Sequence, residues 1–489
     1  MLGAIYAVAF ASLAVQILGL VGERGILPVA DYLEGVERVA GGQAVRLLPT
    51  LLWLSASDAA LQLLSWSGFA LSLLLMAGIA PVPVLALLWL FYLSLQVGGQ
   101  VFLGYQWDTL LLETGLLALF FAPAGLWTRF AQERRASDVV RWLLWLLLFK
   151  LMFLSGITKL VSGDPTWANW TALLYHYETQ PIPTPLSWYA HQLPEWLQRV
   201  SLGFMFAAEL VAPFAIFAPP RWRAVRWAGC AVMVVFQLGI AATGNYGFFN
   251  WLTIALCLTL LDDPVWRSLA PPSLRRVLAA IPAPRPESRA GRSAAWAAAV
   301  VVLPLSTLAF AREIAFTAPR EAGSARPLAG SDAWVAWAAP FRSVNGYGLF
   351  RVMTTERPEI AFEARALGGE WHELPFRWKA GDVARAPRFA APHQPRLDWQ
   401  MWFAALYPSG HRYWMLPLAG RILEGSPEVL GLLADDPFAA LGGPPRELRI
   451  VAYQYRFTTP EEGRSGGENW WSRVRLGELT RPISKAAMP

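Results

Sequence analysis

Two lysines lie in one strongly apolar stretch, FKLMFLSGITKLVSG, and both need a partner if that stretch crosses a membrane. Lys150 sits among Leu, Phe and Met, and Lys159 lies near the end of the same run. A charged side chain in hydrocarbon is costly, usually paired and a candidate for function. Two other apolar runs each contain a carboxylate, Glu113 and Glu209. These four residues are the first candidates for chemistry within a membrane.

Helix geometry predicts how these charges pair. Lys150 precedes Lys159 by nine residues, which places it half a turn out of phase and ~13.5 Å deeper along a helix. Glu113 lies about one turn inside its own apolar run, at a depth similar to that of Lys159. We therefore expect Lys159 to pair with Glu113 and Lys150 to pair with Glu209, so that no charge is left isolated. Asp108, which precedes the run of Glu113, is interpreted as a helix N-cap.

The polar loop after Lys159 supplies further candidate residues. Its titratable and aromatic side chains include His176, Tyr177, Glu178 and His191. The two histidines are fifteen residues apart without a third ligand at metal spacing, so no metal site is predicted. Three prolines also lie in the loop: Pro181, Pro183 and Pro185. Because proline fixes φ and removes a backbone donor, this part should be a stiff, extended segment.

Composition places these residues in a membrane protein. The 489 residues are 55% hydrophobic and 16% charged and include 25 tryptophans, which is too apolar and aromatic for an ordinary soluble enzyme. Much of the net charge of +6 lies in short loops between apolar runs, where membrane orientation explains it, so no nucleic-acid partner is expected. The sequence contains neither a CxxC pair nor a phosphate-binding glycine loop, and no cofactor is predicted.

About nine apolar runs are expected to cross the membrane, which requires about 20 residues for a helix. Seven are long: Gly3–Val21, Ala59–Met76, Val82–Phe102, Val139–Leu160, Leu202–Ala218, Ala224–Ala242 and Ala294–Phe310. Two are shorter: Thr109–Ala122 and Phe248–Leu261. The first run lacks a basic segment before it and is interpreted as a retained helix. Leu47–Leu54 is an interfacial or re-entrant candidate.

Arginines in the loops predict the orientation of the helices. Three loops are rich in arginine: the loop with Arg129, Arg134 and Arg135, the loop with Arg221, Arg223 and Arg226, and the loop with Arg267, Arg275, Arg276, Arg285, Arg289 and Arg292. Such loops stay in the cytoplasm. The intervening loops contain only Arg199 and should face outside. Alternation then places the N-terminus in the cytoplasm and the tail after Phe310 outside.

The tail differs in composition from the rest of the chain. Apolar residues alternate with period two in three runs: Ile360, Phe362 and Ala364; Leu374, Phe376 and Trp378; Val451, Tyr453, Tyr455 and Phe457. This pattern is typical of half-buried strands. The predicted fold is thus an α-helical polytopic membrane domain, residues 1–315, followed by a mostly β, sandwich-like extracytoplasmic domain, residues 318–489.

One segment of the tail has a helical pattern instead. Trp399, Trp402, Phe403 and Leu406 fall at positions i, i+3, i+4 and i+7, which predicts a short amphipathic helix. Asp398 is a candidate cap for it. A helix with such a face is either buried in the domain or pressed against a partner or the membrane.

At these residues the sequence resembles the lipase maturation factor family. The similarity is carried by YAVAFASLAVQ with GERGILP, WDTLLLETGLLALFFAP, KLMFLSGITKL with HYETQPIPTPLSWYAHQLP, NGYGLFRVMTTERPEI and, most specifically, PHQPRLDWQMWFAAL. The resemblance implies a multi-pass membrane protein, of the endoplasmic reticulum in eukaryotes, that secreted lipases need in order to become active. Short loops and an Ala- and Arg-rich composition suggest a bacterial member, with the protein in the inner membrane and the tail in the periplasm.

The first functional hypothesis is a non-enzymatic, chaperone-like maturation factor. Its expected partners are a secreted client protein of the lipase type and membrane lipid. Aromatic anchors dominate the binding energy of protein interfaces. The candidate client-binding residues are therefore Tyr177, Pro181, Pro183, His393, Trp399, Trp402 and Phe403.

A second, shorter similarity leads to an enzymatic alternative. The segment GITKL, Gly156–Leu160, is similar to the motif that carries the catalytic lysine of vitamin K-dependent γ-carboxylase and of relatives with a horizontally transferred transmembrane domain. This similarity implies that Lys159 is a general base whose pKa is lowered by its apolar setting. Glu113, His176 and Glu178 would then orient it or relay protons.

Overall fold

The structure is a computed structural model. It describes residues 1–128, 135–273, 275, 276, 285–319, 332–366, 368–434, 438, 441–465 and 469–485. Two of the arginines assigned to cytoplasmic loops, Arg129 and Arg134, lie outside these residues.

Helices form the first two thirds of the chain, because a helix satisfies all of its backbone polar groups internally where water is absent. They are Leu2–Ala14, Ile17–Val21, Val29–Ala40, Ala44–Leu47, Asp58–Met76, Pro81–Gly98, Gln106–Phe121, Asp138–Val161, Pro165–Ala168, Ala172–Thr179, Pro185–His191, Glu195–Phe206, Arg223–Thr243, Phe249–Leu258, Asp263–Leu269 and Arg289–Thr317. A π-helical turn, Ala207–Val211, and a 3-10 segment, Ala212–Phe217, continue the Glu195–Phe206 helix.

Six helical segments among the described residues are long and apolar enough to cross a membrane. They are Asp58–Met76, Pro81–Gly98, Asp138–Val161, Glu195–Phe217, Pro220–Thr243 and Arg289–Thr317. The first predicted span is divided into two helices, and Phe249–Leu258 has only 10 residues. The protein is therefore a multi-helix membrane protein, and the expected total of nine spans is not confirmed. Leu47–Leu54 forms the end of a short helix and a 3-10 turn.

The arginine-rich loops meet at one end of the helical bundle. The Arg226 guanidinium binds both carboxylate oxygens of Asp262 at 2.8 and 2.7 Å, which joins the second of these loops to the third. The Arg135 backbone N–H donates to the Arg285 carbonyl at 2.8 Å, which joins the first to the third. The described parts of the three basic loops thus lie on the same side of the bundle, as the positive-inside pattern requires.

The C-terminal part contains one antiparallel sheet of five strands among its described residues. The strands are β1 (Arg357–Arg365), β2 (His372–Glu373), β3 (Glu447–Phe457), β4 (Trp471–Glu478) and β5 (Ile483–Ser484). The strand order is β2-β1-β3-β4, and β5 also pairs with β3. Helices accompany it: Asp332–Ala338, Arg396–Leu406, Pro408–Glu424, Pro427–Leu430 and Pro460–Ser465.

The expected β-sandwich is therefore wrong for the described residues. The alternating pattern predicted strands with one buried face. In the structure, β1 and β3 have buried residues on both faces. The face with Ile360 and Phe362 belongs to the same hydrophobic core as the helices, while Tyr453 and Tyr455 belong to a smaller cluster on the other face. Helices and loops take the place of a second sheet, and the second predicted run, with Leu374, Phe376 and Trp378, forms only a single bridge at Phe376.

One hydrophobic core joins the membrane bundle to the C-terminal part. It includes Phe10 and Leu148 from the bundle together with Phe362 and Trp414 from the C-terminal part. The Trp414 ring lies edge-on to the Phe102 ring, with 5.9 Å between centroids. The C-terminal part is packed against the bundle as part of its core.

Candidate functional site

Lys159 forms a buried ion pair in the last turn of its helix. Its ammonium donates to both carboxylate oxygens of Glu209, at 2.9 and 2.7 Å, and to the Ser155 carbonyl at 2.8 Å. Glu209 lies in the π-helical turn, a feature that is frequent at functional sites. Gly156 permits the close approach, because a Cβ there would lie 2.7 Å from Leu210 Cδ2 and 3.0 Å from Glu209 Cβ.

Lys150 forms the second pair, with Glu113. Its ammonium donates to Glu113 Oε1 at 2.5 Å. The other oxygen, Oε2, accepts hydrogen bonds from the Tyr347 hydroxyl at 2.7 Å and from the Asn345 backbone N–H at 3.2 Å. One buried carboxylate thus holds both a membrane helix and a segment of the C-terminal part.

The predicted pairing of the two lysines is therefore wrong. The helix of Glu113 begins at Gln106 rather than at Thr109, so that Glu113 lies ~10.5 Å along it. At that depth it meets Lys150, whereas Lys159, two residues before the helix end at Val161, meets Glu209.

Asp108 forms a third buried pair, with Arg396 of the C-terminal part. The Arg396 guanidinium donates to both oxygens of Asp108, at 2.9 and 2.7 Å, and the Tyr92 hydroxyl donates to the same carboxylate at 2.5 Å. Both charged side chains are almost fully buried. The predicted N-cap role of Asp108 is wrong, because Tyr105 is the N-cap. Asp398 also does not cap its helix; it accepts two backbone N–H groups, from Trp378 and Lys379.

The first helix holds the PHQPR segment that leads to Arg396. Ser12 Oγ lies 3.0 Å from His393 Nδ1 and accepts the Gln394 backbone N–H at 2.9 Å. The Gln16 amide donates to the Gln394 carbonyl and accepts the Arg396 backbone N–H, both at 2.9 Å. The segment is thus fixed by Ser12 of the first helix and by Gln16 in the turn that follows this helix.

The proline loop is likewise fixed by the C-terminal part. Gln180 and Thr184 have extended backbone conformations, and Pro183 forms a bridge with Gly244, as predicted for this stretch, but Pro185 begins the Pro185–His191 helix. The rest of the loop before and after this stretch is helical. Arg357, which is buried, donates to the Gln180 carbonyl at 2.5 Å and to the Pro181 carbonyl at 3.1 Å.

A cavity of about 430 Å³ lies where the bundle, the loop and the C-terminal part meet. Most of its wall is apolar or aromatic, with Leu151 and Phe249 from the bundle and Phe350, Trp399 and Trp402 from the C-terminal part. The Lys159–Glu209 pair is part of the same wall. The volume falls within the ~300–1,000 Å³ of ligand pockets in proteins.

Comparison with known proteins gives the family. The transmembrane domain of lipase maturation factors matches residues 1–268, and the C-terminal domain of lipase maturation factors matches residues 343–481. The chain is 36% identical to lipase maturation factor 2 of Gallus gallus, over 99% of this chain and 80% of that protein. It is 35% identical to lipase maturation factor 1 of Bos taurus, over 98% and 87%, respectively.

The chain belongs to the lipase maturation factor family. The protein from Homo sapiens named lipase maturation factor 1 is 33% identical over 98% of this chain and 86% of its own length. No solved structure matches the chain.

Two of the motifs that carry the resemblance to lipase maturation factors supply buried polar contacts between the bundle and the C-terminal part. NGYGLF contributes Asn345 and Tyr347 to the Glu113 pair, and PHQPRLDW contributes Arg396 to the Asp108 pair. Sequence reasoning missed these partners because it paired charges only between membrane helices. The available signal was the presence of polar residues within the most specific motifs.

The candidate client-binding residues divide into two groups. Trp399 is only 4% exposed and packs against Trp107, with 4.7 Å between ring centroids. Pro181 and Pro183 are also buried. These three are not available as surface anchors, because the proline-rich stretch of the loop and one face of the Arg396–Leu406 helix are packed inside the shared core. The others keep part of their surface: Tyr177, His393, Trp402 and Phe403.

The four residues of the enzymatic alternative do not form one cluster. Glu113 binds Lys150 rather than Lys159, and the Glu178 carboxylate accepts the Phe457 backbone N–H at 3.0 Å. His176 packs against Phe350, and burial together with the Lys159 charge lowers its pKa to about 4. The match to lipase maturation factors and this arrangement both favour a maturation factor over a carboxylase-like enzyme.

His393 should make the stability of the protein depend on pH. Burial, reinforced by the charges of Arg396 and Arg377, lowers the pKa of His393 from 6.5 to about 4. Between these pH values the unfolded chain binds more protons than the folded chain, so stability is fully present above about pH 6.5 and decreases as the pH falls towards about 4. We expect His393→Gln to reduce this loss, measured as the change in Tm between about pH 7.5 and about pH 4.5. If Tm decreased between these pH values by the same amount in His393→Gln as in the unsubstituted protein, His393 would not be the cause of the pH dependence.

Proposed function

We propose that this protein is a membrane-embedded maturation factor for secreted proteins of the lipase type. The observation that carries the proposal is the alignment of 98–99% of its length with proteins named lipase maturation factor 1 and 2. The alignment includes both the helical bundle and the C-terminal part, which share one core. Two parts that share one core suit binding of a client better than two domains joined by a flexible linker, since less conformational entropy is lost on association.

We infer that the client contacts an aromatic surface formed by the outer loop and the end of the C-terminal sheet. Tyr189 is 58% exposed, and its ring lies 6.3 Å from that of Trp470. The Trp188 ring lies 5.7 Å from that of Trp470, and its indole N–H donates to the Thr458 hydroxyl at 3.3 Å. The surface is therefore aromatic and partly exposed, and its two tryptophans pack against the smaller hydrophobic cluster of the sheet.

Such a surface fits a partly folded secreted protein. A client that has not completed its fold exposes apolar segments, and rigid Tyr and Trp side chains bind these with little loss of conformational entropy. Tyr177, His393, Trp402 and Phe403 stay candidates for the same role. The partner would thus be recognised by exposed apolar surface rather than by charge.

We propose that the N-terminus lies in the cytoplasm and the C-terminal part on the outer side of a bacterial inner membrane. The supporting observation is the meeting of the arginine-rich loops at one end of the bundle, through Arg226–Asp262 and Arg135–Arg285. Asn245, from the loop between two other helices, donates to the Arg388 carbonyl of the C-terminal part at 2.8 Å. This orientation gives the aromatic surface access to exported proteins.

The double substitution Tyr189→Ala and Trp470→Ala should abolish most of the maturation activity. Each aromatic anchor at the centre of an interface contributes about 2 kcal/mol or more, so we expect at least a roughly tenfold loss. The measurement is the specific activity of a co-expressed secreted lipase in a strain that lacks the protein and is complemented at matched membrane levels.

Trp266→Ala provides the matched control. Trp266 is 42% exposed and lies in the Asp263–Leu269 helix, near the arginine-rich loops. It should leave lipase activity unchanged. Full activity of the double variant, or an equal loss in the control, would contradict the proposed client surface.

A further inference from the structure

The cavity beside the Lys159–Glu209 pair is lined mostly by apolar side chains, some of them from two long apolar helices. Its wall includes Leu151 and Met152 from the Asp138–Val161 helix and Phe236 and Ile240 from the Arg223–Thr243 helix. Both helices are long and apolar enough to cross a membrane. A molecule that fills the cavity would therefore be mostly apolar and could enter from the bilayer.

The charges in the wall are already neutralised. Lys159 and Glu209 bind one another, with 2.7 Å between Nζ and Oε2. Arg351, the third charged residue of the wall, lies 3.2 Å from a carboxylate oxygen of Glu313. An ionised headgroup would thus enter the cavity without a free counter-ion, and the cost of removing it from water would not be offset. The fitting ligand carries no net charge.

The wall also offers hydrogen-bond donors whose protein partners are weak or missing. Among the described residues, the one hydrogen-bond acceptor of the Gln237 amide nitrogen is the Met152 sulfur, at 3.7 Å, while the Gln237 oxygen accepts the Asn250 amide at 2.8 Å. A thioether is a weak acceptor. The indole nitrogen of Trp107, another residue of the wall, has no partner among the described residues. A buried donor without a good acceptor is costly, so an oxygen acceptor on the ligand would stabilise the site.

The wall is built with local backbone strain. Phe350 adopts φ of +51°, in the left-handed region that a bulky side chain rarely occupies. It is held there by ring contacts with His176 at 5.1 Å and with Tyr246 at 6.0 Å. Strained residues of this kind persist where the surroundings fix them and are concentrated at ligand sites.

We propose that this cavity binds an uncharged acyl-ester lipid from the bilayer. The acyl chain lies along the apolar side chains of the two membrane helices, and the ester carbonyl accepts a hydrogen bond from Gln237. The aromatic residues Phe350, Trp402 and Phe403 close the end formed by the C-terminal part. The cavity does not include Tyr189 or Trp470 of the proposed client surface, and the proposal does not depend on the identity of the client.

Photolabelling of the full-length protein in phospholipid vesicles tests the site. The probe is a monoacylglycerol that carries a diazirine in its acyl chain, and the labelled peptides are identified by mass spectrometry. We expect the label on residues of the cavity wall. Ile240→Trp should reduce labelling there roughly fivefold or more, because a larger side chain fills the space.

Leu238→Trp is the matched control for this variant. Leu238 is in the same helix, is 45% exposed and does not line the cavity. It should keep labelling within about twofold of the unsubstituted protein, as expected for an exposed position. Equal labelling of Ile240→Trp and the unsubstituted protein, or label confined to the outer surface of the bundle, would overturn the proposal.

Two further measurements keep the test decisive if Ile240→Trp does not fold. Gln237→Leu removes the donor with little change in volume and should lower labelling by the ester probe up to about tenfold, the value of one hydrogen bond. The diazirine fatty acid, a carboxylate, should label the wall of the unsubstituted protein more weakly than the ester does. Stronger labelling by the fatty acid would overturn the assignment of an uncharged ligand.

Discussion

Arg396→Met is expected to prevent the protein from accumulating in its folded form. The substitution keeps an apolar stem but leaves the Asp108 carboxylate buried without a cation. Removal of one partner of a buried ion pair costs about 3–5 kcal/mol, against a total stability of about 5–15 kcal/mol for a typical domain. The measurement is the amount of monodisperse protein extracted from membranes and its Tm in detergent.

Two further variants test whether the expected loss of folded protein comes from a charge that is both buried and unpaired. Arg38→Met breaks the Arg38–Glu34 pair, whose side chains are 73% and 70% exposed, and should cost at most about 1 kcal/mol. The double substitution Asp108→Leu and Arg396→Met removes both buried charges and should recover much of the folded protein, because apolar replacements of a buried pair are often tolerated. Equal behaviour of Arg396→Met and Arg38→Met would contradict the buried position of Arg396.

Lys159→Met should strongly reduce lipase maturation, and the cause can be identified by a second substitution. The single change leaves Glu209 unpaired in the wall of the cavity, at a cost of about 3–5 kcal/mol. Combining it with Glu209→Leu removes both charges. A protein that acts by binding should regain folding and much of its activity in the double variant, because no proton transfer is needed. Lipase specific activity at matched membrane levels is the measurement.

The reverse outcome would require chemistry at Lys159. If the double variant folds normally but does not mature lipase, the ammonium has a role beyond pairing. Lys485→Met is the control for loss of a lysine as such, since Lys485 is exposed near the end of the described chain. It should behave like the unsubstituted protein.

The membrane part was the more predictable half of the fold. Runs such as Ala59–Met76 and Val139–Leu160 became helices with nearly the same bounds, because length and hydrophobicity alone determine that a segment crosses a bilayer. The short runs were less certain, since Gln106–Phe121 is enclosed by other helices and carries two carboxylates. Most of its apolar residues are buried against other parts of the protein. A helix buried in this way has an apolar composition similar to that of a membrane-spanning helix.

The pairing of charges was not predictable from helix depth. The depth argument used the expected start of a helix, and a shift of three residues, from Thr109 to Gln106, brought Glu113 to Lys150. It also ignored acceptors and donors from outside the membrane helices. Tyr347 and Arg396 are far away along the chain, and only the tertiary fold brings them to Glu113 and Asp108.

The aromatic helix near the C-terminus was predicted in its position but not in its environment. The spacing of Trp399, Trp402 and Phe403 gave the helix Arg396–Leu406. Periodicity shows that one face is apolar, but it does not show whether a partner or the protein's own core covers that face. Here Tyr105, Trp107 and Tyr246 cover Trp399.

The Asp108–Arg396 pair has a consequence for biosynthesis. The two residues are separated by 288 positions in the chain, so the acid is synthesised and inserted long before its cation emerges from the ribosome. Until the C-terminal part folds back, the nascent protein carries an unneutralised carboxylate among its helices. A premature stop codon before Arg396 would make that state permanent, and truncation would therefore expose the entire protein to membrane proteases instead of releasing a working bundle.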